Sequence, residues 1–192
     1  AKKNGLKVCH IEAGIRSGDI YMPEEINRIV TDSITDYFFT TSEFANENLI
    51  NAGIKKDKIH FVGNVMIDTL KNQIENFIKP DFFDNYKLSK KKYFVLTMHR
   101  PSNVDDKKKL IKLLDLIDSN TKNYPILFPV HPRTKSILSK NRINFRNIIE
   151  VCPMTYLEFN YLVKNSSCVI TDSGGITEET TVMNIPCITL RN

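Results

Sequence analysis

The sequence contains no tryptophan, only 7 glycines and 8 prolines in 192 residues, and 4 cysteines that never approach a C-x-x-C spacing. Cys9, Cys152, Cys168 and Cys187 are too scattered for a zinc knuckle or a compact disulfide framework. Three of them sit in apolar runs, so buried free thiols are expected. No apolar run approaches the ~20 residues a membrane-spanning helix needs, and no membrane partner is expected. Internal repeats and low-complexity tracts are absent too. With 41% hydrophobic and 26% charged residues, the composition is that of an ordinary globular protein. Neither G-x-G-x-x-G nor a Walker A loop occurs, so the sequence offers no nicotinamide or ATP signature. Net charge is +5, but the lysines at 55–56, 90–92 and 107–109 are not interleaved with aromatics. They read as solvated faces, and no nucleic-acid partner is expected.

What is present is a regular alternation. Short apolar runs at 6–11, 37–41, 59–62, 93–98, 125–130, 148–151, 168–171 and 186–190 read as strands. They are continuous rather than alternating, as strands covered on both faces should be. Amphipathic patterns at 24–36, 43–52, 65–78, 105–120, 134–140, 155–165 and 175–184 read as helices between them. Ser42 is placed to cap one helix and Gly53 to stop it. Repeated strand–helix–strand units imply an α/β fold with a doubly wound parallel sheet. The lysine- and aromatic-rich stretch 78–92 and the polar turn at Gly63-Asn64 interrupt the rhythm, and a domain junction is expected near 63–68.

Polar residues gather where the strands end, which is where doubly wound sheets bind ligands. These ends read His10-Ile11-Glu12-Ala13-Gly14, His99-Arg100-Pro101, His131-Pro132-Arg133 and Asp172-Ser173-Gly174-Gly175. In the last, glycines permit close approach of a ligand, and free N–H groups at a helix start favour an anion. The Glu178-Glu179 pair, expected in the first helical turn, can accept hydrogen bonds from ribose hydroxyls. A second polar run holds Glu12, Arg16, Asp19, Glu24, Glu25 and Arg28. Carboxylates held apart by a glycine-containing loop suit proton transfer on two faces of a substrate.

Taken in order, these motifs resemble the non-hydrolysing UDP-N-acetylglucosamine 2-epimerases. The resemblance is carried by His-x-Glu-Ala-Gly-x-Arg at 10–16, Gly-Asp at 18–19, Pro-Glu-Glu-x-Asn-Arg at 23–28 and Gly-Asn-x-x-x-Asp at 63–68. It continues with His-Arg at 99–100, Pro-Val-His-Pro at 129–132, Pro-x-x-Tyr at 153–156 and Thr-Asp-Ser-Gly-Gly-x-x-Glu-Glu at 171–179. It implies a GT-B-like architecture, two Rossmann-like domains with a cleft between them, in a cytoplasmic homodimer. Residues 1–64 would be the C-terminal part of the first domain and 65–192 most of the second, UDP-binding one.

The implied reaction interconverts UDP-N-acetylglucosamine and UDP-N-acetylmannosamine without metal or other cofactor, through elimination and re-addition of UDP. By resemblance, Glu12 and Glu24 are catalytic carboxylates and His99 the catalytic or leaving-group histidine. His131, Ser173, Gly174 and Gly175 hold the diphosphate, Glu179 the ribose, and Phe159 lies near the uracil. Arg100 joins the UDP contacts, with Arg16 and Arg28 in support.

The sequence departs from the family at His99-Arg100-Pro101-Ser102-Asn103, where many bacterial members read His-Arg-x-Glu-Asn. The family's Gly-Asp-Thr and Arg-Pro-Glu segments are not in these residues, and the chain is expected to be an inactive piece of a longer one. Alternatives are a hydrolysing epimerase, a GT-B glycosyltransferase, a nucleotide-sugar-binding module, and a metallohydrolase using His10, Glu12, His99 and Asp172.

Overall fold

In a computed structural model, residues 1–121, 124–130, 134–135, 138 and 145–190 are described. The chain divides into two compact units, Ala1–Asp68 and Thr69–Asn192.

Unit 1 contains three parallel strands in the order β1-β2-β3: β1 (Cys9–Ile11), β2 (Tyr37–Thr40) and β3 (Ile59–Phe61). Helix α1 (Pro23–Ser33) joins the first two and α2 (Glu43–Asn51) the last two. The Ser42 hydroxyl caps α2 by accepting from the Ala45 N–H at 3.2 Å. Gly53, at φ 84, ends it, with Ile54 N–H bonded to the Leu49 carbonyl and Gly53 N–H to the Ile50 carbonyl. That reciprocal pair satisfies carbonyls the last helical turn would otherwise leave open. The buried core is small: Ala13, Phe38, Ala45 and Leu49, flanked by Ile54 and Ile59. Two covered faces are not observed here, since Ile11 is 60% exposed and Phe61 56%.

Unit 2 begins with α3, which runs from unit 1 (Val65–Gln73), and α4 (Phe82–Asn85). Its five parallel strands are β4 (Phe94–Thr97), β5 (Ile126–Pro129), β6 (Ile148–Val151), β7 (Cys168–Thr171) and β8 (Cys187–Thr189). Helices α5 (Pro101–Val104) and α6 (Lys107–Asn120) follow β4, α7 (Tyr156–Asn165) follows β6, and α8 (Gly174–Val182) follows β7. The spatial order is β6-β5-β4-β7-β8. Winding runs outward from β4 to β6 and then reverses from β7 to β8, so the switch point lies between β4 and β7. Ligands of doubly wound sheets bind beyond the strands' carboxyl ends at such a point.

Both faces of this sheet are covered. Val95, Leu127 and Val169 pack with Tyr93, Leu162 and Val163, while Leu96, Ile126, Phe128 and Ile170 pack with Leu110, Leu114 and Ile117 of α6. The segment that broke the rhythm supplies Phe83 and Leu88 to the first of these clusters. Caps hold the helices in place. Asp106 accepts from the Lys108 and Lys109 N–H groups, and Thr155 and Glu158 form a reciprocal capping box at α7.

Several expectations need correction. Residues 6–8 are outside β1, and the Val8 N–H is taken by the Asp36 carboxylate at 2.9 Å rather than by a sheet neighbour. The helix expected over 65–78 ends at Gln73 and tightens into a 3-10 turn at Ile74–Asn76. The cysteines are free, but Cys9 and Cys152 are exposed and Cys168 and Cys187 half-buried. Each stands at the start of a strand or just past its end, where the sheet gives out. The helix expected over 134–140 lies largely outside the described residues.

Candidate active-site residues of each unit

In unit 1 the chain leaves β1 through a constrained turn. Glu12 sits at φ 72, a left-handed conformation that costs a non-glycine residue on the order of 1 kcal/mol or more. Gly14, at φ 77, allows the turn to pass Ala45. A Cβ there would fall 2.4 Å from the Ala45 carbonyl oxygen and 2.8 Å from Leu49 Cγ. The Glu12 side chain is exposed.

The turn is gripped by Asp32, buried on α1. One Asp32 oxygen lies 2.6 Å from His10 Nδ1, and the other accepts from Arg16 at 2.6 Å and from the Gly14 N–H at 3.3 Å. Residues on both sides of Glu12 are thus tied to one carboxylate.

Glu24 and Glu25 divide sharply. Pro23 starts α1, placing Glu24 on its exposed side. Glu25 turns inward, where it accepts from the Ser17 N–H at 2.9 Å and the Gly18 N–H at 3.2 Å. The Ser17 N–H chiefly holds the Glu25 carboxyl below the usual range, against the opposing effect of burial, with Gly18 and Arg16 assisting. The nearest Arg28 nitrogen is 3.9 Å from Glu25, so Arg16 and Arg28 are both engaged in ion pairs within unit 1.

In unit 2 two strand ends meet at the switch point. Thr97 and Thr171 are cross-strand partners, with hydroxyl oxygens 2.6 Å apart. Immediately beyond them, the fully buried Asp172 carboxylate accepts from the His99 N–H, the Arg100 N–H at 2.9 Å and Asn103 Nδ2 at 3.0 Å. Burial would raise the Asp172 carboxyl. The hydrogen bonds from Arg100, Asn103 and His99 outweigh it and hold the group below the usual carboxylate range. His99 Nδ1 lies 2.8 Å from Asp172 Oδ1, while its ring is largely exposed.

Ser173 precedes α8, whose first residues are Gly174 and Gly175. The Ser173 hydroxyl makes no capping bond to the helix, so the first-turn N–H groups remain available to an anion. Because the helix starts at Gly174, Glu178 and Glu179 fall beyond its first turn, contrary to expectation. Glu179 is buried, and burial raises its carboxyl despite the hydrogen bond it accepts from the Tyr156 hydroxyl at 2.9 Å. Burial and that bond push the Tyr156 hydroxyl up to about 12. Phe159, on α7, is half-buried against the core.

His131 lies outside the described residues. Among the described residues, no group of three or more His, Cys, Asp or Glu side chains is arranged to hold a metal ion. Sequence reasoning assigned no positioning role to Asp32, Asn103 or Tyr156. Asn103 and Tyr156 stand beside the quoted motifs, which is the signal that could have found them; Asp32 has none, since it shares the inward face of its helix with Glu25 while Ile26, Ile29 and Val30 are exposed.

A family model described as UDP-N-acetylglucosamine 2-epimerase matches residues 1–192. A Methanococcus maripaludis protein named UDP-N-acetylglucosamine 2-epimerase homolog is 44% identical over 198 residues, covering 99% of this chain and 54% of the relative. The UDP-N-acetylglucosamine 2-epimerase of Methanocaldococcus jannaschii is 40% identical over 203 residues, covering 100% of this chain and 55% of its own. A crystal structure of the Methanocaldococcus jannaschii enzyme in complex with UDP-GlcNAc and UDP matches with a TM-score of 0.85 at 38% identity, over 100% of this chain and 55% of that one. The chain spans about half the length of the curated relatives it matches. Its parallel sheets with intervening helices are of the GT-B-like α/β class. By the match along its whole length, the chain belongs to the UDP-N-acetylglucosamine 2-epimerase family.

Proposed function

We propose that the complete protein interconverts UDP-N-acetylglucosamine and UDP-N-acetylmannosamine without net hydrolysis. The observation that carries this is the switch point of unit 2, where His99 and Arg100 follow one strand and Ser173, Gly174 and Gly175 follow its neighbour. A cation, an imidazole and open helix N–H groups suit a diphosphate that gains charge as it leaves a sugar. The solved relative that holds UDP-GlcNAc and UDP supports the same ligand class.

The C2–H of the sugar is not acidic at rest. As the C1–O bond to the β-phosphate breaks, positive character at C1 acidifies it. A carboxylate takes the C2 proton, the C1–C2 double bond of 2-acetamidoglucal forms, and UDP keeps the electron pair. In the reverse sense a proton returns to C2 on the opposite face and a UDP oxygen re-forms the bond to C1. The sequence is redox-neutral.

Glu12 is the carboxylate this reading favours, being exposed on a strained turn that glycine would occupy at lower cost. Glu24, exposed at the start of α1, is the second candidate. Glu179 takes the ribose hydroxyls, with Tyr156 orienting it, and His131 and Phe159 complete the nucleotide contacts by resemblance. In this reading residues 1–64 end the first Rossmann-like domain and 65–192 form most of the UDP-binding one. The family likeness further supports a cytoplasmic homodimer. Among the described residues, no helix is long and apolar enough to cross a membrane.

NMR of the protein expressed from its complete reading frame, incubated with UDP-N-acetylglucosamine, tests this. UDP-N-acetylmannosamine should build up to an equilibrium with the starting material. Stoichiometric release of free N-acetylmannosamine and UDP would establish the hydrolysing reading instead.

A further inference from the structure

We infer that Asp172 is a positioning residue. It fixes the His99 imidazole with Nδ1 toward its carboxylate and Nε2 outward, and registers the His99-Arg100 turn against the Ser173-Gly174-Gly175 turn. The inference rests on the reading of His99 as the residue facing the departing diphosphate.

The contact is anchored at one end and open at the other: the Asp172 side chain is fully buried, whereas that of His99 is 65% exposed. Nδ1 stands 2.8 Å from Oδ1. An anionic oxygen 2.8 Å away stabilises a proton on Nδ1 over a bare lone pair, so Nδ1 carries the proton. The other ring nitrogen, Nε2, has no partner among the described residues. A neutral ring then presents a basic Nε2 and a protonated ring an Nε2–H donor, so the same atom serves a phosphate oxygen in either state.

The carboxylate also fixes the backbone. Each Asp172 oxygen is 3.1 Å from the His99 nitrogen, and Oδ2 accepts from the Arg100 N–H and from Asn103. The Asp172 carbonyl accepts from Arg100 Nε at 2.8 Å, and Asn103 is tied in turn to the Leu190 carbonyl. One buried residue, directly preceding the Ser-Gly-Gly turn, therefore sets where His99 and Arg100 stand.

The test uses the protein from its complete reading frame with 15N-labelled histidine, the His99 signals being assigned by their loss in His99→Ala. In the wild type, Nδ1 should be protonated. A ring protonated on Nε2 alone overturns the inference, whatever any variant does. Asp172→Asn can turn an amide N–H toward Nδ1 and should move the proton to Nε2. Its kcat should fall about 10²–10⁴-fold with KM within about fivefold, as when an aspartate holding a catalytic histidine is amidated. An Asp172→Asn protein with near-normal kcat overturns the inference. If Asp172 acts on the chemistry through His99, adding Asp172→Asn to His99→Ala lowers kcat no further, any change through Arg100 falling on KM, and multiplying kcat losses would overturn it. Undiminished turnover in His99→Ala sinks the reading of His99 and this inference with it. An inactive His99→Ala beside a fully active Asp172→Asn sinks the inference alone.

Discussion

Glu12→Gln should lower kcat by about 10²–10⁴-fold, the range for removing a general acid or base, while leaving UDP affinity within a few-fold. The amide keeps the shape of the carboxylate but can no longer take a proton. The Glu12 side chain is exposed, with no hydrogen bond or ion pair among the described residues, so the fold should not register the change. Glu12→Gly sharpens the point. At φ 72 glycine relieves backbone strain, so this variant should unfold no more readily than wild type and yet be as inactive as Glu12→Gln. Steady-state kinetics, UDP calorimetry and urea unfolding on the same three proteins check this. Near-normal turnover in Glu12→Gln would remove Glu12 from the chemistry.

Asp32→Ala carries the largest expected effect on stability. It strips the partner from Arg16 and His10 and leaves the Gly14 N–H unpaired, in a unit whose buried apolar core is no more than Ala13, Phe38, Ala45 and Leu49. Breaking such a buried ion pair costs about 3–5 kcal/mol, a large share of the stability of an ordinary domain. Urea unfolding should show the loss, and a double-mutant cycle with Arg16→Ala should show strong coupling, because both substitutions break the same pair. A loss below about 1 kcal/mol, the level of an exposed pair, would mean that Asp32 does not hold the turn. Since the three groups it binds flank Glu12 on both sides, turnover should fall with stability even in Asp32→Asn.

The inner strands of the five-stranded sheet are legible because β4, β5 and β7 are buried on both faces, so their apolar runs are unbroken. The bounds 168–171 agree with the structure for that reason; the bounds 148–151 agree too, although that strand is a half-buried edge strand that includes Glu150. The run 6–11 was misread at its start because hydrophobicity alone cannot reveal that Leu6 is 60% exposed. Motifs at strand ends identified His99, Arg100 and residues 172–175, and the switch between β4 and β7 brings those two ends side by side.

Burial of acids was not legible. Glu24 and Glu25 are adjacent and chemically alike in sequence, and only the return of the loop at Ser17 and Gly18 distinguishes the buried one. The burial of Asp32 and of Asp172, the latter singled out only as part of its strand-end motif, is likewise invisible until their donors, 16 to 22 and 69 to 73 residues away in sequence, are brought to them by parallel strand pairing. Both strand-end histidines, His10 and His99, turn Nδ1 toward a buried aspartate, a relation that sequence spacing does not encode.

Elimination and re-addition of UDP require proton exchange at C2 as the C1–O bond breaks. Proton NMR of UDP-N-acetylglucosamine turned over in deuterated water measures it directly. Deuterium should enter C2 of the UDP-N-acetylmannosamine formed, and of recovered substrate as the reaction reverses. Epimerised product that retains its original C2 hydrogen would contradict proton abstraction, and with it the elimination and re-addition of UDP.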